Sequence, residues 1–431
     1  ATSAGVTHHG RMRHTRPAYV ALAAGLAGAL AITLASPAWA GDTDALLHKR
    51  LASPVLGTDF AMLVVDGATG EVVSEHRSDN PQMPASSMKV ITAVTALATM
   101  QPDSAFTTTV LRGADDSGRI GLVLRGGGDP LLTRSDLQDL AADTAASLRQ
   151  VPSTGARPKA TLRVDRTLFP ETEAAPGWTT SYIPYVAAPV QSLALLGDYS
   201  RDPSANAASA FAGYLRGHGV RVRIEAPVTE PTPADAQVLA RSSEHDLGDA
   251  VRTMLSDSEN NVAEVVHRQV ALAKGLPADW SGAQQAAEAI LRDLGLEPSG
   301  QQLMDGSGLS RKDRVTPAFL VSVLRHARVQ DPKPFTTMFE EDALPVAGRT
   351  GTLNTTAGRF VTKHARCAVG QAQAKTGSLS DAIALAGTVT TVDGRERIFT
   401  MLVNHRPQQY PILQTRQVLD GLVATINGCW G

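Results

Sequence analysis

Apolar residues recur along the chain at two spacings, one typical of strands and one typical of helices. Residues 60–76 are predicted to form a hairpin, because AMLVVD and EVVSEH flank a turn at residues 67–70. A helix is predicted from about residue 86 to residue 100, with one buried face made by Val90, Ile91, Val94, Leu97 and Ala98. The same patterns predict helices over 245–273, 283–295, 316–327 and 410–426, and a pair of strands over 382–391 and 397–405.

Residues 101–235 differ from the rest of the chain. They contain two strand-like segments, TTTVLR and IGLVLRG, a glycine-rich turn, a short helix over 135–149 and a proline-rich exit over 227–233. The order of elements therefore predicts an α/β (α+β) protein in which an antiparallel sheet is flanked by helices. This main domain would comprise residues 41–100 and 236–431, with one smaller inserted domain over residues 101–235.

The N-terminus has the order of a secretory signal. Arg11, Arg13 and Arg16 precede an apolar run over residues 19–35, and the A-x-A tripeptide at residues 38–40 follows. We expect residues 1–40 to be a signal peptide cleaved after Ala40, and the protein to be exported to the cell wall, the periplasmic space or the medium. The alternative is an uncleaved anchor, because the apolar run is at the lower limit of a membrane-spanning helix.

Composition excludes several classes of protein. The 431 residues are 43% hydrophobic and 19% charged. The net charge is −2, so the composition does not predict a basic surface that would bind nucleic acid. Two cysteines and scattered histidines offer no metal site, and no cofactor is expected. In an oxidising compartment Cys367 and Cys429 would form a disulfide or stay as two free thiols, and the sequence leaves both readings open.

A serine and a lysine stand three residues apart at the start of the helix predicted near residue 86. Ser86 and Lys89 share one helix face, so the amine would lie within hydrogen-bond reach of the hydroxyl. A desolvated lysine can take the proton of such a serine and make it a nucleophile. The alternative is a serine helix cap followed by a surface lysine.

Two further motifs follow in the chain. Ser258-Glu259-Asn260 lies at the junction of two helical segments, where Ser can relay a proton and Asn can hold a peptide carbonyl; its alternative role is helix capping. Lys375-Thr376-Gly377-Ser378 leads into a predicted strand and would present a cation to a carboxylate; its alternative is a polar turn. A similar string begins at Arg349, but the polar segment after it lacks strand character, so Lys375 is preferred.

These three motifs together, in this order, are the S-x-x-K, S-D-N and K-T-G set of penicillin-binding proteins and class A β-lactamases, with Glu at the variable centre of the second. Over residues 45–429 the chain resembles the D-alanyl-D-alanine carboxypeptidase/endopeptidase family of low-molecular-mass (class C) penicillin-binding proteins, which carry a domain inserted between the first two motifs. Supporting strings are GGDP at 127–130, PGW at 176–178, APV at 188–190, DGSGLS at 305–310 and LPVAG at 344–348.

The resemblance implies a penicillin-binding transpeptidase/β-lactamase-like fold and a role for each motif residue. Ser86 would be the acylated nucleophile and Lys89 its base, while Ser258 would pass the proton to the leaving D-Ala. The substrate would be held by Asn260, by Lys375 as the site's cation, and by Thr376, Gly377 and Ser378 near the terminal carboxylate. The backbone N–H groups of Ser86 and Ser378 would form the oxyanion hole.

The implied activity is a serine D-alanyl-D-alanine carboxypeptidase that acts on peptidoglycan stem peptides ending in D-Ala-D-Ala and is acylated by β-lactams. DD-endopeptidase activity is a weaker expectation, because the second insert of larger family members is largely missing. A β-lactamase is the first rival, disfavoured because no water-activating Glu is recognisable. A catalytically inactive wall-binding homologue is the second, disfavoured because the motifs are intact. His267, outside the motifs, is predicted to be a solvated surface residue.

Overall fold

A computed structural model describes residues 38–150, 157–170 and 174–431. The basic residues and the apolar run of the predicted export signal lie outside these residues. Across the described ranges, none of the helices is both long enough and apolar enough to span a membrane.

Ten strands and nine α-helices make up the regular structure of the described residues. The strands are β1 (Asp59–Asp66), β2 (Val72–His76), β3 (Thr108–Asp116), β4 (Arg119–Arg125), β5 (Lys159–Asp165), β6 (Arg221–Ile224), β7 (Val238–Ser242), β8 (Ala372–Ser378), β9 (Ile383–Thr390) and β10 (Glu396–Asn404). The helices are α1 (Ala38–Leu51), α2 (Met88–Leu97), α3 (Arg134–Arg149), α4 (Pro203–Gly217), α5 (Leu247–Ser256), α6 (Asn260–Ala273), α7 (Trp280–Asp293), α8 (Pro317–Arg325) and α9 (Ile412–Asn427).

The main sheet has the strand order β2-β1-β10-β9-β8, and every neighbouring pair is antiparallel. The predicted hairpin over residues 60–76 and the predicted strand pair at residues 382–405 are therefore confirmed. Alternate residues of β10 enter two different cores: Ile398 and Leu402 pack with α2 and its neighbours, while Phe399 and Met401 pack with α9. The sheet thus lies between two helical layers, as the predicted fold class requires.

Helix α2 is buried on every side, whereas the sequence pattern predicted one buried face. Each residue from Met88 to Leu97 is buried, because α5, α6 and α8 pack around the helix. Its polar side chains find partners inside the core; Thr92 Oγ1, for example, donates to the carbonyl of Gly306 at 2.7 Å. A helix enclosed in this way carries its first polar residues into a desolvated site.

Between α2 and α5 the chain forms a second, mixed sheet of order β6-β5-β4-β3-β7, with α3 and α4 packed against it. Strands β4, β5 and β6 are parallel, and β3 pairs antiparallel with both β4 and β7. The sheet includes β7 and so extends past residue 235, where the sequence analysis placed the boundary. The reason is that β7 is a strand of only five residues, which joins the sheet through backbone hydrogen bonds to β3.

The C-terminal helix is tied to the main domain by a covalent bond. A disulfide joins Cys367 to Cys429, which resolves the two readings of the cysteines that the sequence left open. Helices α1 and α9 contact each other on the same face of the main sheet. This bond holds the end of α9 to the segment that precedes β8.

Candidate active site

Ser86 lies in a tight turn that leads directly into α2. The turn is a 3-10 segment, Ala85–Ser87, and Ala85 has the left-handed φ of 46°. Few residues with a side chain adopt this conformation, so the surrounding structure must hold it. Gly308 packs against the turn so closely that a Cβ at that position would lie 1.9 Å from the carbonyl oxygen of Ala85.

Lys89 points at Ser86 from one turn further along α2. Its Nζ donates to Ser86 Oγ at 3.0 Å, to Asn260 Oδ1 at 2.9 Å and to the carbonyl of Ser307 at 2.9 Å. The lysine is fully buried, and this desolvation lowers its pKa to about 8, although nearby carboxylates, Glu264 first among them, oppose the shift. At pH 7 about a tenth of Lys89 is therefore neutral and able to accept a proton, and this fraction grows as the pH rises towards 8.

Ser258 and Asn260 occupy the break between α5 and α6. Ser258 has a φ of 64°, which separates the two helices, and Asn260 opens α6. The amide oxygen of Asn260 accepts from Lys89, and its Nδ2 donates to the carbonyl of Val186 at 2.8 Å. The same amide thus links the lysine to the segment between β5 and α4, within the residues predicted to form the inserted domain.

Strand β8 forms the opposite wall. Thr376 and Ser378 face the cleft, as expected for residues two apart on a strand, and Lys375 is fully buried. Burial first, and then the positive charge of Lys89, lowers the pKa of Lys375 well below its usual value. Gly377 permits this arrangement, because a Cβ there would approach the carbonyl oxygen of Pro84, just before the nucleophile turn, to 2.9 Å.

All three motifs meet in one open cleft of about 840 Å³. Residues from each motif line it, namely Ser86, Ser258, Asn260, Thr376 and Ser378. The charged residues of its lining are three arginines, Arg311, Arg359 and Arg416. The cleft therefore combines a serine with an adjacent base and an electropositive wall, which suits nucleophilic attack on the peptide of an anionic substrate.

Comparison with known proteins agrees with this geometry. The sequence matches the D-Ala-D-Ala carboxypeptidase 3 (S13) family over residues 43–200 and 196–425. The chain belongs to this family. It is therefore a serine-type D-Ala-D-Ala carboxypeptidase, a hydrolase, and the family, fold and activity expected from the motifs are confirmed.

Relatives of this S13 carboxypeptidase match along most of their length. Carboxypeptidase DacB of Mycolicibacterium smegmatis is 32% identical over 401 residues, which is 89% of this chain and 83% of the relative. The D-alanyl-D-alanine carboxypeptidase of Actinomadura sp. strain R39 is 28% identical, over 86% of this chain and 82% of the relative. The structure of penicillin binding protein 4 (dacB) from Haemophilus influenzae superposes with a TM-score of 0.74 at 22% identity, covering 90% of this chain and 98% of the other, which shows a common fold.

Sequence reasoning missed several residues that shape the S13 site. Two groups lie directly behind Lys89, namely Glu264 and the carbonyl of Ser307. The string that begins at Arg349 was not preferred as a motif, yet it brings Thr352 to the cleft. There Thr352 Oγ1 and Thr376 Oγ1 are 2.8 Å apart and share a hydrogen bond. Glu264 could have been noticed from its spacing, since it lies four residues after Asn260 on the same helix face.

The prediction for His267 was wrong. This histidine is 2% exposed, and burial lowers its pKa to about 3, so the ring is neutral. Helix α6 lies between α2 and α7, and so both of its sides are covered. The amphipathic pattern of α6 predicts one buried side. It cannot indicate that another helix also covers the more polar side.

Proposed function

We propose that Ser86 is the acylated nucleophile of this carboxypeptidase and that Lys89 is its general base. The contact that carries the proposal is the 3.0 Å hydrogen bond between Lys89 Nζ and Ser86 Oγ, made by a lysine whose pKa burial lowers to about 8. The lysine is aimed at the serine by its two other acceptors, Asn260 Oδ1 and the Ser307 carbonyl. Only its neutral form can take the serine proton.

The proposed substrate is a peptidoglycan stem peptide that ends in D-Ala-D-Ala. Ser86 Oγ would form an ester bond with the carbonyl carbon of the penultimate D-Ala while Lys89 accepts the hydroxyl proton. The peptide C–N bond would then break, and Ser258 would deliver a proton to the amine of the leaving D-Ala. Water would hydrolyse the ester and regenerate Ser86.

The cleft walls would hold this peptide in place. Thr376 and Ser378 face the cleft at the position expected for the terminal carboxylate, while Asn260 would bind the peptide amide and the backbone N–H groups of Ser86 and Ser378 would hold the oxyanion. Gly377 lets β8 approach the nucleophile turn. Lys375 is buried behind this wall, where desolvation and the charge of Lys89 lower its pKa and so disfavour its charged form. The electropositive lining supports an anionic substrate.

We further propose that β-lactams acylate Ser86 and that the protein acts outside the cytoplasm. A β-lactam offers the same activated serine a reactive amide carbonyl, so it would trap the acyl-enzyme. Export is supported by the basic residues and apolar run at the N-terminus and by the Cys367–Cys429 disulfide, which is typical of oxidising compartments.

Intact-mass measurement after brief exposure to benzylpenicillin tests the nucleophile. Wild type and a Ser243→Ala control, which removes an exposed serine, should gain the mass of the drug, while Ser86→Ala should gain none. The same three proteins should differ in the same way in D-Ala release from diacetyl-L-Lys-D-Ala-D-Ala. Release by Ser86→Ala above the buffer rate would refute the assignment, and rapid drug turnover without a lasting adduct would favour a β-lactamase instead.

A further inference from the structure

One end of the inserted domain carries a cluster of exposed cations. Lys159 begins β5, and Arg157 precedes it by two residues. Arg221 begins β6, and Arg216 lies in the last turn of α4, the helix that leads into this strand. All four residues are exposed, and none forms an ion pair within the ranges that the structure describes. We call these four residues the distal basic patch.

The fold places two of these cations side by side. Lys159 and Arg221 are directly opposite each other in the parallel register of β5 and β6. The N–H of Arg221 also donates to the carbonyl of Pro158 at 2.8 Å, which holds the start of β6 beside the start of β5. Like charges on neighbouring strands repel each other. The arrangement becomes favourable when an anion lies against both residues.

The acidic residues of the neighbouring strands are already opposite other cations. Asp116 faces Arg119 across the β3–β4 pair. Glu225, just past the other end of β6, forms an ion pair with Arg163 at 2.9 Å. Residues 151–156, which precede the patch in sequence, include no acidic residue. Because the whole chain has a net charge of −2, the patch is a local excess of positive charge and not one part of a basic protein.

The distal basic patch points away from the catalytic residues. Strand β4 is parallel to β5 and in register with it, so both strands begin at the end of the domain that carries the patch. At the other end of β4, the carbonyls of Gly127 and Gly128 accept hydrogen bonds from Gln269 of α6 at 2.8 and 3.0 Å. The seven residues of β4 span about 20 Å. A ligand bound at the patch would therefore leave the cleft free.

From this arrangement we propose that the distal basic patch binds a linear polymer with repeating phosphodiester groups, which holds the enzyme in the cell wall. The proposal rests on the proposed action of the protein outside the cytoplasm. Lysine and arginine bind phosphate oxygens through charge-assisted hydrogen bonds, and adjacent cations match successive negative groups of one polymer. A membrane surface is usually contacted by cations together with apolar anchors. Ile224, the exposed apolar residue of β6, lies at the opposite end of that strand, which favours the polymer.

Binding of long-chain inorganic polyphosphate, used as the probe, tests the patch. Affinity would be measured at several salt concentrations for the purified full chain and for the double variant Lys159→Gln/Arg221→Gln. The matched control, Arg134→Gln/Lys333→Gln, removes one arginine and one lysine that are exposed elsewhere on the chain. We expect the patch variant to bind about 10-fold more weakly, with a slope of log affinity against log salt reduced by about 1 to 2, and the control to bind like wild type.

Equal affinities of wild type and the patch variant would overturn the proposal, because the cations would then only protect an edge strand from pairing with other chains. Tighter binding to vesicles of phosphatidylcholine and phosphatidylglycerol than to polyphosphate would overturn it as well. Wild type should also sediment with isolated bacterial cell walls, but not after hydrofluoric acid has removed their phosphodiester-linked polymers. Sedimentation that survives this treatment would count against the proposed ligand.

Release of D-Ala from the soluble peptide diacetyl-L-Lys-D-Ala-D-Ala serves as the check on folding. Because the patch is remote from the cleft, wild type, the patch variant and the control should release D-Ala at the same rate. Failure of all three to release D-Ala would refute the proposed function and leave the polyphosphate result standing. The two failures are therefore distinguishable.

Discussion

Glu264 fixes the position of Ser307, and through it the position of Lys89. Its Oε1 accepts a hydrogen bond from the Ser307 N–H at 2.9 Å, and its Oε2 accepts one from the Gly306 N–H at 3.0 Å. The Ser307 carbonyl, oriented in this way, accepts from Lys89 Nζ at 2.9 Å. One buried carboxylate therefore supports the base from behind.

Replacing Glu264 by Gln should weaken both the fold and the acylation rate. One backbone N–H would face an amide donor, and an unsatisfied buried group of this kind costs about 1–3 kcal/mol. The change also removes an interaction that raises the pKa of Lys89, so the pH midpoint of acylation should move to lower pH. Denaturant unfolding and acylation rates across pH would check this, with the exposed Glu244→Gln as control. An unchanged midpoint would contradict it.

Acylation of Ser86 should rise with pH through about 8. The base works only when neutral, and because burial lowers the pKa of Lys89 to about 8, its neutral fraction grows as pH rises through that value. Lys89→Arg keeps the charge but cannot deprotonate, so acylation should be lost at every pH. Rates of adduct formation with benzylpenicillin between about pH 6 and about pH 10, about two units on either side of that value, would show it. A rate that falls with rising pH would count against this role.

Gly377→Ala should reduce acylation more than it reduces stability. The new Cβ would lie 2.9 Å from the Pro84 carbonyl oxygen and 3.0 Å from the Cβ of Ala85, so β8 must move away from the nucleophile turn. A displacement of this kind can cost about 100-fold in rate. Gly213→Ala in α4, where a Cβ meets no atom within 4 Å, is the control and should leave the rate unchanged. Equal rates for the two variants would show that the close approach is unimportant.

Asp420→Asn should destabilise the protein strongly. Arg359 and Asp420 are 3% and 0% exposed, and the carboxylate also accepts from the Phe360 N–H at 2.9 Å. Breaking a buried pair leaves an uncompensated charge, which costs about 3–5 kcal/mol. The exposed pair of Arg292 with Glu288 on α7 is the comparison and should contribute less than about 1 kcal/mol. Unfolding free energies of Asp420→Asn and Glu288→Gln decide it, and a loss below about 1 kcal/mol for Asp420→Asn would disprove the prediction.

Local patterns were the most predictable part of the structure. The hairpin near Phe60 and the strand pair β9–β10 follow from apolar runs beside turn residues, which depend only on neighbours in sequence. The helix at Ser86 was located for the same reason, but its complete burial was not foreseen. Burial of the polar side of α2 depends on α5 and α6, which lie far away along the chain.

The least predictable parts were the contacts between distant segments. Arg416 meets Ser378 across 38 positions of sequence, and Glu264 meets Ser307 across 43. In both pairs the two residues are too far apart in sequence for a short motif to include them. Strand β7, which lies beyond the predicted boundary at residue 235, likewise joins its sheet by backbone bonds that its side chains do not reveal.

The sequence by itself determined that the side chains of Ser86 and Lys89 lie together. A serine and a lysine three residues apart must share one face of a helix, whatever the remainder of the fold does. Only the tertiary structure decided that the pKa of Lys89 is lowered, because the shift arises from desolvation by packed helices. The tertiary structure also decided that Arg416 lies beside Ser378. A hydrogen bond needs its donor and acceptor within about 3 Å of each other. Residues that are distant in sequence come this close only when the chain has folded.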